Sequence, residues 1–140
     1  VLIRIESTDP LRARILSESG AEGVYRGYST GRVDSLCVFL DENRDKAYII
    51  GTSKSGRPAW RAVGSIVKAL LENKNIIIVF GEPYRGLYEI MQELGRDPEE
   101  VFDDILNFIP QQGTKTARIE EALAATLSTI RFLEAQYTAI

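Results

Sequence analysis

The sequence predicts a three-layer α/β domain built on a parallel sheet, and three observations carry that reading. Short apolar runs recur at Ala47-Tyr-Ile-Ile-Gly-Thr, Ile76-Ile-Ile-Val-Phe-Gly81 and Asp104-Ile-Leu-Asn-Phe-Ile109, as in strands buried on both faces. A segment of helical character follows each run, so the order from Lys46 is βαβαβα. The 140 residues, 44% hydrophobic and 26% charged, suit one domain of ordinary size. A chain near this length buries about 68–70% of its unfolded surface, enough for a self-sufficient core.

The first 31 residues read differently. Val1-Leu-Ile-Arg-Ile-Glu-Ser and Leu11-Arg-Ala-Arg-Ile-Leu alternate apolar and polar residues around Thr8-Asp9-Pro10, which predicts a β-hairpin with proline at its bend. A Gly/Tyr-rich connector follows, from Ser19 through Val24-Tyr-Arg-Gly-Tyr28 to Gly31. A short helix is expected over residues 35–40. The expected boundary therefore separates residues 1–31 from 32–140.

In the second part the first strand ends in Gly51. Trp60, Val63, Ile66, Val67, Leu70 and Leu71 then recur at helical spacing, predicting an amphipathic helix over residues 57–73. After the second strand, Leu87, Ile90, Met91 and Leu94 mark a helix with Gly95 as its C-terminal stop. Asp97-Pro98-Glu99-Glu100 has an N-cap aspartate and a proline at the first helical position. The third strand stops at Pro110. A long helix is expected from near Thr116 to Tyr137, with Ile119, Leu123, Leu127, Ile130 and Leu133 on one face. A three-stranded sheet has exposed edges, so a partner subunit or further chain is expected to extend or cover it. A chain that opens on Val1 is expected to be processed, trimmed or incomplete.

Composition excludes several chemistries. With no histidine in the chain, a Ser-His-Asp triad, a Cys-His pair and a His-ligated zinc are impossible, and no metal site is expected. The single cysteine, Cys37, has no internal partner and suits a reducing, cytoplasmic setting. No apolar run approaches the roughly 18 residues of a membrane span, and no signal peptide is expected. The formal charge of −3 argues against a free-standing RNA-binding domain, which draws its affinity from neutralised phosphates.

Ligands of open α/β sheets bind beyond the carboxyl ends of the strands. There the sequence places Gly51-Thr-Ser-Lys-Ser-Gly56, Gly81-Glu-Pro-Tyr-Arg-Gly86 and Ile109-Pro-Gln-Gln-Gly-Thr-Lys-Thr116. Glycines allow close backbone approach, and hydroxyls and amides supply hydrogen bonds. The first loop lacks the Gly-Lys-Ser/Thr ending of a phosphate-binding P-loop. In the second, Glu82 would repel a pyrophosphate and suits hydroxyls or an ammonium group. The third is longer and more polar than a helix cap requires. Together they suggest a nucleoside-like ligand.

The combination of Gly51-Thr-Ser, Val79-Phe-Gly-Glu-Pro-Tyr-Arg-Gly-Leu87 and Asn107-Phe-Ile-Pro-Gln-Gln-Gly-Thr-Lys-Thr-Ala-Arg-Ile-Glu-Glu-Ala122 resembles the SPOUT superfamily of trefoil-knot RNA methyltransferases. The nearest branch is the archaeal and eukaryotic one with an inserted OB-like domain, and the likeness covers residues 46–130. It implies a C-terminal knot, which general topology rules disfavour. It also implies a homodimer and an S-adenosylmethionine cofactor lined by Thr52, Gly81, Glu82, Gly86, Ile109, Pro110, Gln112, Gly113 and Thr114. Backbone near Ile109 and Gln112 would hold the adenine, and Glu82 would meet the ribose or a cationic part. The substrate implied is RNA, ribosomal or transfer. Residues 1–31 resemble the tail of the OB-like insertion, whereas the strands and helix that precede that insertion in the family have no counterpart.

No catalytic base stands out; a carboxylate, a neutralised lysine or the nucleotide itself could serve. Arg118 either orients a phosphate or base, or forms a salt bridge with Glu121 on its own helix. Two other readings stay open: a non-catalytic relative that binds RNA or assembles, and an unrelated flavodoxin-like or nucleotide-binding module.

Overall fold

The computed structural model describes residues 3–15 and 30–138. The chain divides into two compact units, Val1–Val33 and Asp34–Ile140. In the first, β1 (Ile3–Thr8) pairs antiparallel with β2 (Leu11–Ile15), with a bulge between Ile5 and Ser7. This is the hairpin the alternating pattern predicts, turned at Asp9 and Pro10. The Gly/Tyr-rich connector lies outside the described residues from Ser19 through Tyr28.

The second unit runs α1 (Leu36–Asn43), β3 (Ala47–Pro58), a 3-10 turn (Ala59–Ala62), α2 (Val63–Leu71), β4 (Asn75–Val79), α3 (Leu87–Glu93), α4 (Pro98–Val101), β5 (Asp104–Asn107) and α5 (Ile119–Tyr137). The sheet order is β4-β3-β5, with both pairings parallel. Successive side chains of a strand point to opposite faces, and the two cores follow that alternation. Ile49, Val79 and Ile105 pack with Leu40, Leu87, Met91, Val101 and Phe102 on one face. Ile50 and Leu106 pack with Ala62, Ile66, Ile130 and Leu133 on the other. Helices α1, α3 and α4 therefore cover one face and α2 and α5 the other, a three-layer α/β unit. Each fully buried isoleucine or leucine contributes about 1.5–3 kcal/mol of transfer free energy.

Local signals set the helix ends. The Ser35 hydroxyl accepts from the Val38 amide at 3.4 Å, starting α1. The Asp97 carboxylate accepts from the Glu99 amide at 3.0 Å, with Pro98 opening α4. Gly95 follows α3 at φ 66°, the left-handed conformation glycine adopts at little cost. The Arg44 guanidinium donates to the carbonyls of Val101, at 2.8 Å, and Glu100, satisfying acceptors at the α4 end.

Several expected elements are redrawn. Gly51-Thr-Ser-Lys-Ser-Gly56 is not a free loop but part of β3. Thr52 pairs with Leu106, residues 53–56 bulge out, and Arg57 returns to pair with the same Leu106. Gly56 permits the return, because a Cβ there would stand 2.8 Å from the Ile105 carbonyl oxygen. The helix expected over residues 57–73 is a 3-10 turn followed by the shorter α2. Trp60 is 59% exposed rather than inward. Strands β4 and β5 stop short of Phe80 and Phe108. Helix α5 begins at Ile119, and its inward residues include Thr126, Ile130 and Leu133, whereas Ile119, Leu123 and Leu127 are exposed.

Candidate functional site

The chain leaves β3 for α2 on one face of the sheet and leaves β4 for α3 on the other. Such a switch opens a crevice at the carboxyl ends of the strands. Here a cleft of about 750 Å³ is lined from four directions: Thr52 and Lys54 from β3, residues 80–87 after β4, residues 106–109 at the end of β5, and residues 115–126 at the start of α5. This volume lies within the range of small-molecule and cofactor sites, roughly 300–1,000 Å³. Its wall mixes Phe80, Leu87, Phe108 and Ile109 with a few polar groups, the usual composition of such sites.

Hydrogen bonds order the rim. The Thr52 hydroxyl donates to the Val79 carbonyl at 2.9 Å, joining β3 to β4. The Asn107 side chain donates to the Lys54 carbonyl at 2.9 Å and accepts from the Ile109 amide at 2.9 Å, holding the bulge of β3 against the exit of β5. The Lys54 ammonium donates to the Thr114 carbonyl at 3.0 Å, and the Gln112 amide group donates to the same oxygen at 3.1 Å. Gln111, at φ 57°, takes a left-handed conformation that costs a non-glycine residue about 1–2 kcal/mol.

The second loop is braced by charge. The Glu82 amide donates to the Arg85 carbonyl at 2.8 Å. The Arg85 guanidinium donates to both Glu82 carboxylate oxygens, at 3.1 and 2.6 Å, and also to Glu93. Glu82 first, through its hydrogen bond, and then the charge of Glu93 raise the pKa of Arg85 further above its ordinary value. The Gly86 amide donates to the Glu89 carboxylate. Gly81 is confined by its own loop: a Cβ would lie 3.0 Å from the Arg85 carbonyl oxygen.

Of the nine residues named for a cofactor, Thr52, Gly81, Glu82, Gly86, Ile109 and Gln112 line the cleft. Pro110, Gly113 and Thr114 lie on the third loop outside its wall, and Thr114 meets the site through its carbonyl. The residues that sequence reasoning missed come chiefly from α5. Ala122 and Thr126 line the cleft, and the buried Thr126 hydroxyl donates to the Ala122 carbonyl at 2.7 Å. Arg118 does not make the intrahelical salt bridge with Glu121. Its backbone amide, not its guanidinium, donates to the Glu121 carboxylate at 3.0 Å, capping the helix start. Among the described residues no group of three or more His, Cys, Asp or Glu could hold a metal ion. Among them, too, no helix is long and apolar enough to cross a membrane.

Fold and cleft define an open α/β domain with a cleft at the carboxyl ends of its parallel sheet. The chain belongs to the family described as "Putative RNA methyltransferase", matched over residues 1–130. It is 30% identical over 145 residues to an uncharacterized protein of Halobacterium salinarum, covering 96% of this chain and 49% of that protein. A second uncharacterized protein, from Haloarcula marismortui, is 30% identical over 146 residues, covering 96% and 48%. The 28S rRNA (uridine-N(3))-methyltransferase of Drosophila melanogaster is 30% identical over 119 residues, covering 78% of this chain and 23% of that enzyme. The chain thus spans about half the length of the two archaeal relatives.

Proposed function

We propose that this chain is the cofactor-binding part of an S-adenosylmethionine-dependent RNA methyltransferase of the SPOUT type, working as a cytoplasmic homodimer. The carrying observation is a cleft that β3, the loop after β4, the end of β5 and the start of α5 build together, in a member of an RNA methyltransferase family. In this reading the third loop passes through a trefoil knot, and the β1–β2 hairpin is the tail of an OB-like insertion.

The wall fits the cofactor's chemistry. Phe80, Leu87, Phe108 and Ile109 offer apolar surface to an adenine, and backbone groups near Ile109 and Gln112 offer donors and acceptors to its edge. A carboxylate has about four lone-pair sites. Arg85 uses two of those on Glu82, which leaves capacity for ribose hydroxyls. When bound, the cofactor supplies an electrophilic methyl group on a sulfonium. The residues of the chain contribute by positioning, which places the acceptor atom in line with that methyl.

The homodimer has a candidate surface in α5, where Leu123 and Leu127 are exposed one turn apart. Leu127→Glu is expected to convert a dimer to a monomer in sedimentation velocity. The reading as a whole is tested by incubating the protein with methyl-labelled S-adenosylmethionine and RNA. Label in the RNA supports it. Cofactor bound by a dimer that leaves RNA unlabelled would move the chain to a non-catalytic relative.

A further inference from the structure

The turn on the β4 side of the cleft carries an aromatic ring with little packed against it. Tyr84 is 97% exposed and lines the cleft. Single exposed aromatics are ordinary on protein surfaces, so exposure alone assigns nothing. Two further observations do. The turn is held: the Glu82 amide closes it onto the Arg85 carbonyl at 2.8 Å, and the Arg85 guanidinium ties it to Glu82 and to Glu93 of α3. The ring is therefore presented on a braced support, and less conformational entropy is lost when a ligand meets it.

The second observation is charge. From β5, at the opposite edge of the sheet, the chain brings Lys115 and Arg118 to the same cleft. Both are exposed, and among the described residues neither side chain forms an ion pair. By contrast, Arg57, Arg85 and Arg96 are each matched to a carboxylate. An aromatic face with two unspent cations around one cleft matches a nucleotide strand: the ring takes a base and the cations take phosphates. The strand must be unpaired, because bases inside a duplex have no free face to stack.

We propose that Tyr84 is a stacking platform for an unpaired RNA base at the mouth of the cleft, with Lys115 and Arg118 holding the adjoining phosphates. The proposal rests on the methyltransferase reading and adds the form of its substrate: single-stranded RNA held by one stacked base rather than a duplex recognised by its shape.

The test measures fluorescence anisotropy of short fluorescein-labelled oligouridylate and oligoadenylate with the wild type, Tyr84→Ala, Tyr84→Trp, Lys115→Ala and Arg118→Ala. Calorimetric titration with S-adenosylmethionine is run on the same proteins. Tyr84→Ala is expected to weaken both oligonucleotides roughly 5- to 150-fold, the factor lost with one base–aromatic stack, while Tyr84→Trp binds as the wild type does. The slope of log affinity against log salt should stay constant in Tyr84→Ala and fall by about 0.7 for each lysine or arginine removed. Wild-type RNA affinity in Tyr84→Ala overturns the platform and leaves the methyltransferase reading standing, as does a wild type that binds cofactor but neither oligonucleotide. Lost cofactor affinity in Tyr84→Ala would move the ring into the cofactor site, and a changed oligomeric state would make it a protein contact; either overturns the proposal. A wild type that binds RNA through Tyr84 but takes no cofactor supports the platform while the enzyme reading fails.

Discussion

The hydroxyl of Thr52 donates to the carbonyl of Val79 at 2.9 Å, tying β3, at the residue before its bulge, to the last residue of β4. The bond adds a side-chain tie beside the backbone ladder that pairs Gly51 with Val79, between two walls of the cleft. Thr52→Val keeps the shape and removes the donor. It is expected to cost about 0.5–1.5 kcal/mol, the net worth of such a bond, and to lower the melting temperature by a few degrees. Thr52→Ser should preserve both, and differential scanning calorimetry separates the two variants.

Gly56 and Gly64 should respond to alanine in opposite directions. At Gly56 a Cβ would stand 2.8 Å from the Ile105 carbonyl oxygen and 2.9 Å from the Leu106 carbonyl carbon. Backbone atoms of a paired strand cannot step aside, so Gly56→Ala should destabilise by about 1–3 kcal/mol. Gly64 lies in α2 with nothing within 4 Å of its added Cβ, so Gly64→Ala should stabilise by about 0.5–1 kcal/mol. Urea unfolding midpoints would check both signs; a stabilised Gly56→Ala would contradict the bulge geometry.

Tyr48 gives a pH signature. Its phenol donates to the Asp104 carboxylate, which also pairs with Arg57. Burial first, and the neighbouring Asp104 next, raise this phenol well above its ordinary value of 10.0. The folded state therefore keeps a proton that the unfolded chain releases, so the stabilisation is intact below about pH 10 and is lost as pH rises beyond it. Tyr48→Phe lacks that loss. It should be less stable by about 1 kcal/mol at neutral pH, and the gap should narrow in denaturant titrations above pH 10. A gap that widens would reverse the sign of the argument.

The sheet was legible because a strand buried on both faces needs an unbroken apolar run, and Ile49-Ile50 and Ile76-Ile77-Ile78 supply one. Neighbouring residues then divide between the two cores. The phase of α5 was legible in its second half, where Ile130 and Leu133 are buried as expected, and not in its first. Its larger apolar residues mark a stripe through Ile119, Leu123 and Leu127, yet the first half turns Ala122 and Thr126 toward the cleft. Periodicity identifies a repeating face but not what lies opposite, and beside a cleft small and hydroxyl residues take the inward positions. Thr126, on a helix otherwise rich in Ala and Leu, was the available signal. The bulge of β3 escaped for a similar reason: Gly51-Thr-Ser-Lys-Ser-Gly56 has loop composition, and its return to Leu106 depends on contacts far away in sequence. The three loop motifs placed the cleft at the strand ends, whereas the braces Lys54–Thr114 and Arg85–Glu93 link positions that no local pattern connects.

That the cleft holds S-adenosylmethionine is the proposal on which the others depend. Calorimetric titration with the cofactor and its demethylated product tests it most directly, comparing the wild type with Ala122→Phe, which fills the cleft from α5, and Gly113→Val, which adds bulk to the third loop where a Cβ meets nothing within 4 Å. Micromolar binding at one site per chain is expected, abolished by Ala122→Phe in a protein that still unfolds cooperatively, with Gly113→Val reporting whether the third loop closes on the ligand. No heat from the folded wild type, or unchanged affinity in Ala122→Phe, would contradict it.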